Sequence, residues 1–94
     1  MIYIDQKFKY PFKGKTRIFC HMISDNGTIE LIEFGNKIGL KESWLQKRHT
    51  PEEHYDLFGS KIELALKNGA IELSNKEFFK IIFNKMEQSS ENKM

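Results

Sequence analysis

Short segments rich in β-branched and aromatic residues alternate along the chain with amphipathic segments of helical period. This alternation is typical of an α/β domain in which helices pack on a mostly parallel sheet. The expected order is β-β-α-β-α-β-α, which is a small, three- to four-stranded, Rossmann-like fold. The strands are predicted at residues 2–5, 16–24, 43–47 and 70–73, and the helices at 29–38, 57–68 and 75–86.

The segment 7–17, KFKYPFKGKTR, differs from its surroundings in charge. It contains five basic residues and no acidic residue, and aromatic residues alternate with its lysines. Because it also contains Pro11 and Gly14, we expect a loop here. The net charge of the whole chain is only +2, which is too balanced to indicate nucleic-acid binding by itself.

The length of 94 residues predicts a single domain, at residues 1–87, followed by a flexible polar tail at 88–94. The single cysteine excludes an internal disulfide and fits a reducing compartment. The sequence has no run of eighteen apolar residues and no secretion-signal pattern. We therefore expect a cytoplasmic protein that does not interact with membranes.

Polar residues fall where the predicted strands end, and in open parallel sheets ligands bind beyond the carboxyl ends of the strands. The first predicted strand ends at Asp5, and the second ends at Ser24 and is followed by Asp25. After the third, a loop brings His54, Tyr55 and Asp56 to a predicted helix start, where one capping side chain would suffice. The candidate ligand-binding residues are Asp5, Arg17, His21, Ser24, Asp25, Trp44, Gln46, His54, Tyr55 and Asp56.

Several of these residues also have a purely structural interpretation. His21 shares a strand face with apolar residues, so it is either a hydrogen-bonded core residue or a site residue. Asp56 has the chemistry of a helix N-cap. Trp44 could seal the core, and Tyr55 could cover its edge with the hydroxyl group in water.

Established sequence signatures are absent. The chain has no C-x-x-C, H-E-x-x-H, G-x-S-x-G or glycine-rich phosphate-binding motif. Its histidines and aspartates are suitable metal ligands, but their spacing is unspecific. The sequence therefore predicts no metal and no cofactor.

Six short motifs occur in a fixed order: YID, CHMISD, IGL, WLQ, EHYDL and NGAIEL. Together they resemble the DUF4031 family, small uncharacterised proteins of bacteria and their phages, from about Tyr3 to Leu73. The resemblance implies a shared set of polar positions but no activity. Those positions correspond to Asp5, His21, Ser24, Asp25, Trp44, Gln46, His54, Tyr55 and Asp56.

The leading hypothesis is a binding protein rather than an enzyme. Its ligand would be small, anionic and ring-bearing, such as a nucleotide, and would lie at the strand ends. Trp44 and Tyr55 would stack on the ring, and Gln46 and Asp56 would hydrogen-bond to its polar edges. The negative charge would be met by Arg17, the nearby lysines and protonatable His21 and His54. If the gene is viral, such a protein could sequester a signalling nucleotide of the host.

Two alternatives belong to other classes. The first is a phosphodiester hydrolase in which His21 and His54 act as acid and base. One aspartate, Asp5, Asp25 or Asp56, would orient an imidazole or hold a divalent metal. The second is a nucleic-acid accessory protein that uses segment 7–17, although acidic helix faces argue against extended contact with a nucleic-acid backbone. Exposed aromatic residues are compatible with a homo-oligomer.

Overall fold

The sheet is built around one long central strand, Lys15–Ser24, which pairs along both of its edges. The structure is a computed structural model and describes residues 1–91. The elements of this part of the chain are β1 (Ile2–Ile4), β2 (Phe8–Phe12), β3 (Lys15–Ser24), α1 (Thr28–Lys37), a 3-10 turn (Glu42–Trp44), β4 (Tyr55–Phe58), α2 (Ser60–Lys67), β5 (Ile71–Glu72) and α3 (Asn75–Glu91).

The five-stranded sheet is mixed and mostly antiparallel. Met22 of β3 pairs with Ile4 of β1 on one edge and with Tyr55 of β4 on the other. Strands β1 and β2 follow one another along the same edge of β3. Among the strands that the structure describes, only β1 and β5 form a parallel pair. The prediction of a mostly parallel, Rossmann-like sheet is therefore wrong, because a hairpin joins β2 to β3, and β4 runs antiparallel to β3 although α1 lies between them.

The basic segment forms a β-hairpin. Lys13 and Gly14 join β2 to β3, and both have positive φ, 49° and 76°. Two residues with positive φ form the turn whose twist matches that of paired antiparallel strands. Pro11 is accommodated because β2 is an edge strand. The prediction of a loop at residues 7–15 is thus wrong.

The third predicted strand, at 43–47, is absent from the described residues. Residues Glu42–Trp44 form a single 3-10 turn instead. Only Gln46 makes a strand-like contact, an isolated antiparallel bridge to His54. A five-residue segment is too short for its periodicity to separate a strand from a turn followed by a bridge.

The segment that contains Tyr55 and Asp56 is a strand rather than the start of a helix. Burial alternates along Tyr55–Phe58, as expected of a strand with one covered face. Helix α2 begins only at Ser60, after Gly59 with φ 52°. Asp56 is therefore not a helix cap, and its carboxylate is not needed for the start of α2.

One face of the sheet forms the core with α1 and α2. Cys20, Met22 and Leu57 point to this face and are fully buried. They pack against Leu31 of α1 and Ile62 of α2. Burial of a large apolar side chain contributes about 1.5–3 kcal/mol, so the contacts on this face stabilise the fold.

The opposite face carries His21 and Ile23 of β3, together with Asp56, which pairs directly with His21. Helix α3 covers one end of it, where Phe78 and Ile82 line the same cavity as His21 and Ile23. The remainder of the face is open. This asymmetry places polar residues of the central strands beside an apolar wall and next to solvent.

Ser74 and Glu77 form a capping interaction at the start of helix α3. The Ser74 hydroxyl accepts the backbone N–H of Glu77 at 3.2 Å and donates to its carboxylate at 3.0 Å. The helix continues to Glu91, and residues 92–94 lie outside the described residues, so the flexible tail at 88–94 stays a prediction. Within the described part of the chain, no helix combines the length and hydrophobicity needed to cross a bilayer.

Candidate metal centre

Asp5 lies in the break between β1 and β2, where this edge of the sheet has one residue more than β3 opposite it. Its backbone N–H donates to the His21 carbonyl at 3.3 Å. Its carboxylate Oδ1 accepts the His21 backbone N–H at 2.7 Å, and Oδ2 lies 2.7 Å from the imidazole Nδ1. Because a carboxylate only accepts, Nδ1 carries the proton, and Nε2 of His21 faces away from Asp5.

His54 is held in an equivalent way by backbone groups. Its Nδ1–H donates to the Glu52 carbonyl oxygen at 2.8 Å. Two backbone hydrogen bonds to Gln46, of 2.9 and 3.1 Å, fix the chain at this position. As in His21, the Nε2 atom is the nitrogen left free to bind a ligand.

Asp56 completes the cluster. Its Oδ1 atom lies 3.9 Å from Nε2 of His21 and 3.5 Å from Nε2 of His54. Its Oδ2 atom accepts a hydrogen bond from the Gln46 side-chain amide at 2.6 Å. One ligand atom from each of the three residues thus lies within 4.8 Å of the other two.

The geometry suits a divalent transition metal. Two ligand atoms that each lie about 2.1 Å from a tetrahedral ion are about 3.4 Å apart. The Asp56 Oδ1 atom lies at comparable distances, 3.5 and 3.9 Å, from the two Nε2 atoms. Two imidazoles and one carboxylate are a donor set that binds Zn²⁺, Mn²⁺ or Fe²⁺. Both imidazoles use Nδ1–H in a hydrogen bond to an acceptor, which is the usual support for a metal-binding histidine.

Charge within the cluster acts on His21. The hydrogen bond to Asp5 raises the pKa of His21 above its usual value, burial lowers it by a smaller amount, and the charges of Asp5 and Asp56 raise it further. The two carboxylates beside His21 thus favour its protonated form.

A cavity of about 480 Å³ adjoins the cluster on the Asp56 side. Its walls include the aromatic side chains of Trp44 and Phe58, and the amide of Gln46. Trp44 is half exposed, so it does not seal the core. A ligand held in this cavity would contact Asp56 directly.

The structure brings together five of the ten candidate residues in one cluster, and places a sixth, Trp44, in the cavity beside it. The cluster forms although the strand-end rule that pointed to it does not apply to an antiparallel sheet. The five residues are Asp5, His21, Gln46, His54 and Asp56.

Two other candidates lie at a different place, near the start of α1. The Ser24 hydroxyl donates to the Glu30 carboxylate at 2.7 Å. The Asp25 carboxylate accepts the terminal amine of Met1 at 2.9 Å. Both side chains hold the ends of β1 and β3 in place.

The last two candidates also lie apart from the cluster. The Arg17 guanidinium lies 5.2 Å from the ring of Phe12 in the hairpin. Tyr55 is fully buried in the core, so its hydroxyl is not in water, and its ring is not available to stack on a ligand. Its hydroxyl has no hydrogen-bond partner among the described residues.

Sequence reasoning missed two residues that position His54. The carbonyl of Glu52 orients the ring, and no side-chain pattern reveals the direction of a backbone carbonyl. Glu53 is buried, and its carboxylate accepts the Thr28 hydroxyl at 2.6 and 2.7 Å. This contact fastens the loop before His54 to the first turn of α1.

No curated protein and no solved structure matches this sequence. The family model described as "Protein of unknown function (DUF4031)" matches residues 2–85. The match covers most of the 94-residue chain and all five residues of the cluster, and it confirms the resemblance found in the short motifs. The chain therefore belongs to the DUF4031 family.

Proposed function

We propose that the protein is a metal-dependent phosphodiester hydrolase in which His21, His54 and Asp56 bind one divalent transition-metal ion. The convergence of their three ligand atoms, with both imidazole Nδ1 atoms engaged elsewhere, carries the proposal. It departs from the expectation, based on sequence, that the site binds no metal.

Three protein ligands leave coordination positions open, as catalytic metal sites require. A divalent ion held by these residues would make a water molecule more acidic and would polarise a phosphoryl oxygen. The chain contributes orientation: Asp5 and the Glu52 carbonyl hold the two rings, and Gln46 holds the Asp56 carboxylate. The basic hairpin beside the cluster favours a phosphate ester over a neutral substrate.

Metal binding is the first test. We expect metal-depleted protein to take up one Co²⁺, Mn²⁺ or Zn²⁺ ion per chain, measured by equilibrium dialysis and elemental analysis, with a Co²⁺ absorption spectrum typical of nitrogen and oxygen ligands. The variants His54→Ala and Asp56→Asn should lose the ion. His49→Ala is the matched control, because His49 is an exposed histidine outside the cluster. Equal uptake by His54→Ala and wild type would refute the site.

Turnover is the second test. Metal-loaded protein should hydrolyse bis-p-nitrophenyl phosphate, and His54→Ala should abolish hydrolysis while circular dichroism shows an intact fold. The His49→Ala control should remain active. A stoichiometric metal without any hydrolysis would leave a metal-binding protein and would exclude the hydrolase.

The cavity next to Asp56 favours a second candidate, the binding of an intact anionic, ring-bearing ligand. Its volume of about 480 Å³ lies within the range of small-molecule sites. Trp44 would stack on the ring, and sequestration of a signalling nucleotide by a cytoplasmic, phage-encoded protein is one form of this candidate. Trp44→Ala should then lose affinity in calorimetric titration with nucleotides, whereas chemical conversion of the ligand would favour the hydrolase.

A further inference from the structure

We infer that the substrate of the metal centre is single-stranded nucleic acid, which binds along the open face of the sheet. The inference rests on the proposed function, since it names the substrate class of that same site. It is carried by the β2–β3 hairpin, whose exposed aromatic and basic side chains the metal cluster does not use.

A continuous row of rings connects the hairpin to the cluster. The ring centroids of Tyr10 and Phe19 are 5.6 Å apart, and those of Phe19 and His21 are 5.2 Å apart. His21 is in turn 5.3 Å from His54. On the same face of the sheet, the Phe58 ring of the neighbouring strand β4 stacks on Phe19, with the ring centroids 5.3 Å apart. A nucleic-acid strand that follows this row of rings therefore passes directly over the metal ligands.

The aromatic side chains of β2 lie outside the buried core. Phe8, Tyr10 and Phe12 occupy alternate positions, and therefore one face, and they are 41%, 45% and 43% exposed. The register places them on the face that carries Phe19 and His21. Clustered exposed aromatics on a protein surface indicate a binding site. Flat rings at successive positions along a strand are the arrangement on which unpaired bases stack.

The charge of the hairpin indicates what kind of molecule binds to this face. Five basic residues and no acidic residue lie between positions 7 and 17. Arg17 pairs with Tyr10 across the hairpin and lies on the aromatic face. A polyanion with flat rings satisfies both features, because phosphates meet the basic groups and bases meet the rings. A second copy of this chain would instead bring two strongly positive hairpins together, and like charges oppose that contact.

Binding can be measured separately from catalysis. Fluorescence anisotropy with a fluorescein-labelled oligo(dT) or oligo(U), in EDTA, reports binding without a metal. We expect Tyr10→Ala and Phe12→Ala each to weaken binding by about fivefold to a hundredfold, since stacking of one base contributes that much. Affinity should also fall as salt rises. Phe83→Ala is the matched control, because Phe83 is 50% exposed but lies on α3; it should bind like wild type.

The outcomes separate this inference from the proposed function. Oligonucleotide binding that Phe12→Ala weakens, together with metal-dependent cleavage that Asp56→Asn abolishes, supports both. No oligonucleotide binding, equal affinity for duplex and single strand, or a dimer that Phe12→Ala dissociates would overturn the inference. Hydrolysis of the small phosphodiester would still support the proposed function in each of those cases. Binding without hydrolysis of any phosphodiester would refute the hydrolase and hence nucleic acid as its substrate.

Discussion

Asp5 shows how one side chain can serve both fold and site. At the break between β1 and β2 the sheet lacks a carbonyl opposite the His21 backbone N–H, and the Asp5 carboxylate supplies the acceptor. The same carboxylate fixes the imidazole through its second oxygen. Asp5 is almost fully buried, so an amide in its place would lose a charge-assisted hydrogen bond where water cannot replace it.

We predict that Asp5→Asn lowers the pKa of His21 toward that of a free histidine, because the hydrogen bond to Asp5 is the largest cause of its raised pKa. A group whose pKa is raised on folding stabilises the fold below its unfolded pKa, about 6.5 for histidine, and loses this effect as the pH rises through the folded pKa. The stability deficit of the variant should therefore be larger near pH 5.5 than near pH 8.5.

Titration of the histidine ring protons by NMR in EDTA measures the pKa, and urea unfolding at the two pH values measures stability. Asp25→Asn is the control, since Asp25 contacts the terminal amine rather than His21. A deficit that is the same at both pH values would contradict the assigned role of the protonated imidazole.

At the scale of elements, strand propensity located β1 and most of β3, and helical period located all three helices. Strand propensity did not identify the hairpin, because Pro11 and Gly14 are typical of loops but also fit an edge strand and a tight turn. It did not identify β4, because four residues between a loop and Gly59 carry too little period. Local sequence pattern alone could not have avoided either error, because whether a segment forms a strand depends on the strand with which it pairs.

Gly35 of α1 sets the distance between this helix and β4. A Cβ atom added to Gly35 would lie 2.8 Å from the buried ring of Tyr55. In an exposed helix, alanine stabilises relative to glycine by about 1 kcal/mol. Here the ring is enclosed on all sides, so we predict that Gly35→Ala destabilises the protein by about 1–3 kcal/mol through overpacking.

Urea unfolding gives the sign of this effect. Asn36→Ala, one position further along the same helix and exposed, is the matched control and should have little effect on stability or increase it slightly. An increase in stability for Gly35→Ala would mean that α1 and Tyr55 separate without cost.

At the scale of the whole molecule, the site depends on contacts between segments far apart in sequence. Residue types and their order were sufficient to select His21, His54 and Asp56 as candidates. Their arrangement was not accessible, because the pairing of His21 with Asp56 joins residues on separate strands. Ser24 is the last residue of β3 and Asp25 follows it, but both lie near the first turn of α1. Proximity along the chain therefore did not predict membership of the cluster.

Cys20 provides a probe of how far the domain unfolds as one unit. It is fully buried on the central strand, and burial is the main cause that raises the pKa of its thiol to about 12. Because thiolate is the reactive form, we predict that the native protein resists Ellman's reagent near pH 8 and reacts at once in guanidinium chloride. Since β3 pairs with strands on both edges, access to Cys20 should require global unfolding. Labelling should then be slower than in the unfolded chain by on the order of a thousandfold or more. The free energy of opening calculated from the labelling rate should equal the free energy of unfolding measured in urea. Faster labelling that is insensitive to urea would show that the sheet opens locally around β3.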